Sequence, residues 1–210
     1  VYRYRYLSFF ALLIYQLVII LSNSVLVYGD TTAIISNIRG QDASNYFSAF
    51  PNNLLYGLYV KGLYHLVSMK YLVLIQELIN VLVLDISILV FANTIDKNFG
   101  RRLAAIYFTL SILLIGIHPQ FLSTYSDYWS YFTATFVCIT IIKMIVGEVK
   151  LSDYISLVFF IGLGYMVRPT IVIYVIALSF ALLFRVILKF DRQVTVKVTK
   201  GLLVLVIGLV

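Results

Sequence analysis

Six long apolar runs restrict the fold of this chain more than any other feature of its sequence. They are Leu7–Tyr28, Tyr71–Ile95, Leu103–Ile117, Trp129–Val146, Tyr154–Val167 and Thr170–Leu188, and a truncated seventh run occupies Gly201–Val210. A helix needs about 20 apolar residues to cross the hydrocarbon core of a bilayer, and about 17 at the lower limit. The alternating pattern of a transmembrane barrel is missing, so helices are the predicted spanning structure. The sequence predicts an all-α, polytopic transmembrane helix bundle.

The composition agrees with lipid as the solvent for most of the surface. Of the 210 residues, 62% are apolar and only 12% are charged, whereas soluble domains are about half apolar and about one quarter charged. The net charge of +7 is read as a topology signal rather than as a nucleic-acid site, because the basic residues lie between apolar runs. The lone Cys138 excludes a disulfide framework. Because the last apolar run is unfinished, we expect residues 1–210 to form a single membrane domain at the N-terminal end of a longer chain.

The segment Pro51–Val67 decides the orientation of every later span. It is apolar but carries Lys61 and His65. If it crosses the bilayer, the basic segments 96–102 and 185–200 face outward. If it lies on the membrane surface, twelve of the 16 basic residues face the cytoplasm, and four remain outside: Arg39, Lys61, Lys70 and Arg168. The excess of positive charge on cytoplasmic loops favours the second arrangement. The sequence thus predicts a cytoplasmic N-terminus and a surface helix over 51–67 within an external loop, Gly29–Lys70.

Three acidic residues on the predicted outer face are candidates for chemistry. Asp30 lies where the first span emerges, either as a solvated acid that ends the helix or as a general base held at the membrane surface. Asp42, in the same loop, is the competing base. Asp127 precedes the fourth span, where a carboxylate also suits a helix N-terminus. The residues alone leave these alternatives open.

Charged residues at two other places have both a structural and a functional reading. Arg168, before Pro169 and Thr170, either extends to the lipid headgroups or binds a phosphate. Glu77 and Asp85 lie within the second run, where an ionisable side chain is costly and is by default a functional hypothesis. His65 and His118 are far apart and have no cysteine nearby, so a metal site is not supported.

Three short motifs together resemble one family. Phe50-Pro51-Asn52-Asn53 resembles the Tyr-Pro-Asn-Asn element of Gram-positive bacterial membrane glycosyltransferases of the GT-C superfamily, which are related to protein O-mannosyltransferases. Tyr125-Ser126-Asp127 resembles their Tyr-Thr-Asp-Thr element. The stretch from Gly164 through Arg168-Pro169-Thr170 resembles their Gly-…-Lys-Pro-Thr element. The order and spacing of the three motifs extend over most of the chain.

The resemblance implies a membrane glycosyltransferase of the cell membrane that takes a sugar from a polyprenyl-phosphate donor. It implies a glycan, lipid or protein acceptor at the extracytoplasmic face and no obligatory cofactor. Asp30 matches the essential acid of the first external loop, with Asp42 as the alternative, and Asp127 matches the acid of the second. Arg168 replaces the usual lysine and keeps a positive charge for the donor phosphate. Phe50 in place of tyrosine and Tyr128 in place of threonine depart from the pattern.

Two other functions are compatible with the same sequence. A polysaccharide polymerase, a flippase or a proton-coupled transporter would use Glu77 and Asp85 along a proton or substrate path. A non-catalytic subunit of an envelope assembly complex would need none of the candidate residues for chemistry.

Overall fold

A computed structural model describes residues 5–22, 30–40, 46–118, 126–146 and 149–188, together with residues 196, 199, 200 and 203. Within these residues the chain is helical and contains no strand. The helices are α1 Arg5–Ser22, α2 Asp30–Ile38, α3 Tyr46–Ala49, α4 Leu54–Leu66, α5 Met69–Phe99, α6 Arg101–Ser111, α7 Asp127–Val146, α8 Leu151–Val167 and α9 Ile171–Leu188. A 3-10 turn, Pro51–Asn53, precedes α4, and a π-helical segment, Ile112–Gly116, continues α6.

Three helices in the described part of the chain are long and apolar enough to cross a membrane: Arg5–Ser22, Tyr71–Phe99 and Asp127–Val146. Helix α8 is apolar but shorter. These helices confirm the helical membrane class. They also agree with the predicted first, second and fourth spans, although residues 23–28 of the first lie outside the described part. Nearly all of the apolar run 201–210 also lies outside the described part.

The third predicted span, 103–117, is not one regular α-helix. Helix α6 ends at Ser111, and the next five residues wind as a π-helix that ends at Gly116. Apolar periodicity predicts a helix here but does not distinguish the two windings, since the change requires only one extra residue in a turn. The predicted external loop 29–70 also contains more structure than the surface helix, because α2 and α3 precede it.

The chain divides into two compact units, Val1–Tyr131 and Phe132–Val210. The boundary falls inside α7, and the prediction of one membrane domain stays a prediction. In the first unit, α5 and α6 form a hairpin at Gly100, whose φ of 91° is a backbone conformation that favours glycine. Helix α1 packs on α5, where Ile20 and Val81 belong to one buried cluster.

Helices α1 and α5 run antiparallel. Gln16 contacts Asp85, while Ile20, one turn later on α1, packs with Val81, one turn earlier on α5. This arrangement brings Arg5, Lys97 and Arg101 to one end of this unit. The 13 residues of α4 extend only about 20 Å, short of the roughly 30 Å hydrocarbon core. That 51–67 lies on the membrane surface stays a prediction.

The second unit is built from the remainder of α7 with α8 and α9. Its core contains Val137, Ile141 and Met144 of α7, Leu157 and Ile161 of α8, and Val175 of α9. Gly164 marks the closest approach, because a Cβ atom there would lie 2.8 Å from the Thr133 hydroxyl and 3.0 Å from Ile171. Glycine is required at this position for α8 to pack against α7 and α9.

Candidate functional site

A cap of short helices covers the N-terminal end of α5 in the first unit. Ile34 and Ile35 of α2, Tyr56 and Val60 of α4, and Leu72 of α5 form its buried centre, and Phe47 and Trp129 pack against it. The hydroxyl of Tyr56 and the side-chain amide of Gln76 form a buried hydrogen bond between α4 and α5. Three segments that carry candidate residues therefore meet in one packed cluster, hereafter called the cap.

The first candidate acid is the first described residue of α2. Described α1 stops at Ser22, and residues 23–29 lie outside the described part, so the expectation that Asp30 ends the first span stays a prediction. Ile34 and Ile35 fix the helix in the cap through their buried side chains. Asp42, the alternative base, lies outside the described residues.

The Pro51-Asn52-Asn53 motif forms the 3-10 turn that leads into α4. Proline stands at its first position, where a missing N–H costs no hydrogen bond. Asn53 is buried, and Tyr56 follows it into the cap. The motif therefore sets the direction in which α4 enters the cap, while the side chain of Asn52 lies outside the described part.

The second candidate acid begins α7. Asp127 is half-buried in the first turn of the helix, and the N–H groups of Trp129 and Ser130 donate to the carbonyl of Ser126 at 3.2 and 3.3 Å. Trp129 packs edge-to-face on Tyr59 of α4, with 5.2 Å between ring centroids. The predicted helix-capping role and the predicted chemical role of Asp127 are both compatible with this position. Tyr125, the first residue of its motif, is outside the described residues.

A buried phenol lies beside Trp129, two residues after the second acid. The Tyr59 hydroxyl is buried and has no hydrogen-bond partner among the described residues. Burial raises the pKa of this hydroxyl above its ordinary value, because the charged form is desolvated. Tyr59 is therefore a neutral donor at physiological pH.

A cavity of about 240 Å³ opens in the cap. It is lined by Asn37 and Ile38 of α2, Phe47 of α3, and Leu54, Gly57, Leu58 and Lys61 of α4. One ammonium group among apolar side chains suits an amphipathic anion, such as a phosphate on a hydrocarbon tail. From the sequence, Lys61 was interpreted only as a topology signal, because no local pattern connects it with a cavity.

Arg168 belongs to the second unit, where it ends α8. Its backbone is extended, and its N–H donates to the carbonyl of Gly164 at 2.7 Å. Pro169 and Thr170 form an exposed turn, and α9 begins at Ile171. The half-buried arginine thus follows the close helix contact at Gly164 by one turn. A second cavity of about 570 Å³, lined in part by Lys150 and Lys200, is at the other end of α8.

A separate polar cluster lies inside the first unit. The Gln16 amide nitrogen donates to Oδ1 of Asp85 at 3.1 Å and to the carbonyl of Gly116 at 2.9 Å. Gln16 is 0% exposed and Asp85 is 1% exposed. Asp85 is the central residue of the candidate span Tyr71–Phe99. The structure therefore joins α1, α5 and the π-helical segment through one amide.

Only some of the buried polar residues of α1 and α5 were predicted from the sequence. Glu77 and Asp85 were selected, and both are buried. Gln16, the only carboxamide in α1, was not selected. Gln76 and Asn80, which are both 0% exposed on α5, were not selected either. Within the described residues, no group of three His, Cys, Asp or Glu side chains could hold a metal ion.

The long apolar helices and the buried polar cluster at the centre of one of them define a helical integral membrane protein. The comparisons with known proteins agree at that level. The chain belongs to a family whose description is "conserved hypothetical integral membrane protein", and the family model matches residues 3–210. No curated protein and no solved structure matches the chain.

Proposed function

We propose that this protein is a membrane glycosyltransferase that moves a sugar from a polyprenyl-phosphate donor to a cell-envelope acceptor on the extracytoplasmic face. The observation that carries the proposal is the cap. It packs together the helix begun by Asp30, the helix after Pro51-Asn52-Asn53 and the helix begun by Asp127. Two of the three motifs that resemble the GT-C superfamily are thereby associated with one cluster, although 74 residues separate Asn53 from Asp127.

The proposed reaction is a displacement at the anomeric carbon of the sugar. A carboxylate, Asp30 or alternatively Asp42, accepts the proton of the acceptor hydroxyl. The hydroxyl oxygen bonds to the anomeric carbon, and the bond from that carbon to the phosphate oxygen breaks. Polyprenyl phosphate leaves with the bonding electron pair. Asp127 is the second acid of the site.

Two cationic side chains are each suited to the phosphate of the donor. Arg168 presents a planar group that matches a phosphate in shape and hydrogen bonding, and it replaces the lysine of the family pattern. Lys61 lines an amphipathic cavity in the cap. Stabilising the charge of the leaving phosphate in this way requires no nucleotide and no obligatory metal ion.

A transfer assay tests the proposal. Full-length protein in liposomes is incubated with undecaprenyl-phosphate hexose that is radiolabelled in the sugar, and with envelope lipids and glycans as acceptors. We expect a labelled product and the release of undecaprenyl phosphate. Asp30→Asn and Asp127→Asn should each reduce the rate by about 10²- to 10⁴-fold, the usual contribution of a general acid or base. Asp42→Asn identifies the base if Asp30→Asn retains activity.

The matched control is Asp96→Asn. Asp96 is a partly buried acid near the opposite end of α5, next to the turn at Gly100. This variant should transfer sugar at the wild-type rate. Full activity in all three of the Asp30, Asp42 and Asp127 variants would overturn the assignment of the site. Absence of any labelled product across a panel of polyprenyl-phosphate sugars would overturn the proposed reaction.

One observation favours a second candidate function, a proton-coupled transporter, flippase or polysaccharide polymerase. Asp85 is a buried carboxyl group at the centre of a spanning helix, and such residues mark ion and substrate paths in many membrane proteins. Accumulation of an unmodified substrate in liposomes under a proton gradient, without a glycosyl product, would select this candidate.

A further inference from the structure

Both N–H groups of the Gln16 amide donate hydrogen bonds, but two oxygen atoms in the same cluster accept none. Its two N–H bonds are directed to Oδ1 of Asp85 and to the carbonyl of Gly116. The other oxygen of the carboxyl group, Oδ2 of Asp85, and the amide oxygen of Gln16 are buried and have no hydrogen-bond partner in the described part of the chain. The cluster therefore has two oxygen acceptors and lacks a donor. Unsatisfied buried acceptors are rare and need a physical explanation.

Ion pairing does not provide that explanation. Among the described residues, Asp85 accepts one hydrogen bond, from Gln16, and has no ion-pair partner. The other described titratable and charged side chains on the elements that pack around it are Arg5, Tyr6 and Tyr15 on α1, Tyr56, Tyr59, Lys61, Tyr64 and His65 on α4, Tyr71, Glu77, Asp96 and Lys97 on α5, Arg101, Arg102 and Tyr107 on α6, His118 just after the π-helical segment, and Asp127, Tyr128 and Tyr131 at the start of α7.

The positions of these groups leave the charge of Asp85 uncompensated. Along α5 the nearest charged side chain is Glu77, about 12 Å away, and it is another acid. Arg101 and Lys97 lie at the hairpin turn, more than two turns of helix from Asp85. The π-helical segment carries no ionisable side chain. An ionised carboxylate in such a place is costly, and binding a proton removes the charge and supplies the missing donor.

The π-helical segment is a second, independent feature of the cluster. π-helical turns are rare, and they occur often at functional sites because they place a carbonyl outside the regular α-helical hydrogen-bond pattern. Here the segment ends at Gly116, whose carbonyl accepts from Gln16. A Cβ atom at Gly116 would lie 2.9 Å from the Leu12 side chain, so α1 approaches this turn closely. The frame around Asp85 is thus held by packing as well as by hydrogen bonds.

We infer that Asp85, framed by Gln16 and the carbonyl of Gly116, is a membrane-embedded site that binds and releases one proton. The bound proton resides on Oδ2, and Gln16 holds Oδ1 in both protonation states. Loss of the proton places a charge next to α1 and the π-helical segment, so the contact between these two elements senses the protonation state. This inference is independent of the proposed glycosyl transfer.

Infrared difference spectroscopy tests the inference on full-length protein in phosphatidylcholine liposomes. Spectra recorded in acidic and alkaline buffer at constant sodium concentration should contain the carbonyl-stretch band of one protonated carboxyl group. Asp85→Asn should lose this band, because the asparagine amide can accept the same hydrogen bond but cannot titrate. Asp96→Asn, the matched control, should keep it. A band that is unchanged in Asp85→Asn would overturn the inference.

Two further measurements keep the test decisive if Asp85→Asn does not fold. Gln16→Leu retains the carboxyl group and removes its donor, so the band should remain and shift in frequency. An unshifted band would show that the titrating group is elsewhere. Replacing sodium by choline at constant pH should leave the spectrum unchanged, and a sodium-dependent change that is lost in Gln16→Leu would identify a sodium site and overturn the assignment to a proton.

Discussion

The side-chain amide of Gln16 donates a hydrogen bond to Oδ1 of Asp85 at 3.1 Å and thereby joins the first helix to the centre of α5. The two residues are 69 positions apart in the chain. Their contact sets the antiparallel arrangement of α1 and α5, and it also brings α1 to the π-helical segment through the second donor of the same amide. A single buried side chain therefore connects three elements of the first unit.

A double-mutant cycle on this pair should show strong coupling. Gln16→Leu removes the only hydrogen-bond donor to the carboxyl group in the described structure and should cost about 1–3 kcal/mol in the free energy of unfolding. Asp85→Leu combined with Gln16→Leu should cost less than the sum of the two single changes, by about 0.5–2 kcal/mol. Unfolding by denaturing detergent in mixed micelles measures these values. Strict additivity would show that the bond contributes no stability.

Two glycines on α8 should respond in opposite directions to alanine. Gly164→Ala places a methyl group 2.8 Å from the Thr133 hydroxyl and should destabilise the protein by about 1–3 kcal/mol. Gly162 has no atom within 4 Å of the added methyl group. Gly162→Ala should therefore be neutral or stabilising by up to about 1 kcal/mol, because alanine favours the helix. Thermal unfolding in one detergent compares the pair, and equal effects would contradict the packing at Gly164.

The cap should be sensitive to Gly57 and insensitive to Gly62. A methyl group at Gly57 would overlap the ring of Phe47, whereas one at Gly62 meets no atom within 4 Å. Trp129 of α7 is the single tryptophan of the chain, and it packs on Tyr59 of α4, the helix that contains Gly57. Gly57→Ala should therefore shift the tryptophan emission and reduce stability by about 1–3 kcal/mol, while Gly62→Ala should leave the emission unchanged. A shifted emission in Gly62→Ala and an unchanged emission in Gly57→Ala would show that α3 does not pack on α4.

The ion pair that precedes the predicted span Tyr154–Val167 predicts a pH dependence of stability. Lys143 Nζ donates to Oδ1 of Asp153 at 2.5 Å, and the N–H of Lys150 donates to Oδ2 at 2.8 Å. Burial raises the pKa of Asp153, but these bonds and the nearby lysine charges outweigh it and hold the pKa below its usual range. The stabilisation is therefore present above the unfolded pKa of about 3.9 and is lost as the pH falls through the lower folded value.

Asp153→Asn tests this dependence. At neutral pH the variant should be less stable by up to about 1 kcal/mol, a modest value because the Lys143 side chain is 41% exposed. The difference between wild type and variant should shrink as the pH falls below about 4. Detergent unfolding across this range is the measurement, and a difference that grows at low pH would contradict the sign.

Local features of the sequence were sufficient to predict most of the long helices. Apolar runs identified α1, α5 and α7 because the transfer of a segment into lipid depends mainly on the residues of that segment. Pro51 marked the turn before α4, while the orientation inferred from the charge asymmetry stays a prediction. Asp127 was placed before the fourth span, and it begins α7. By contrast, the π-helical winding at Ile112–Gly116 had no local signal that distinguishes it from a regular helix.

By itself the sequence determined that this chain is a helical membrane protein and where its ionisable residues lie along the apolar runs. Only the tertiary structure decided that Gln16 is the partner of Asp85, that Gly116 completes the cluster, and that α2, α4 and the start of α7 share one cap. The physical reason is that hydrophobic transfer adds up residue by residue along a segment. Hydrogen bonds and close packing between helices depend on residues far apart in the chain. No local sequence pattern predicts which of these residues come into contact.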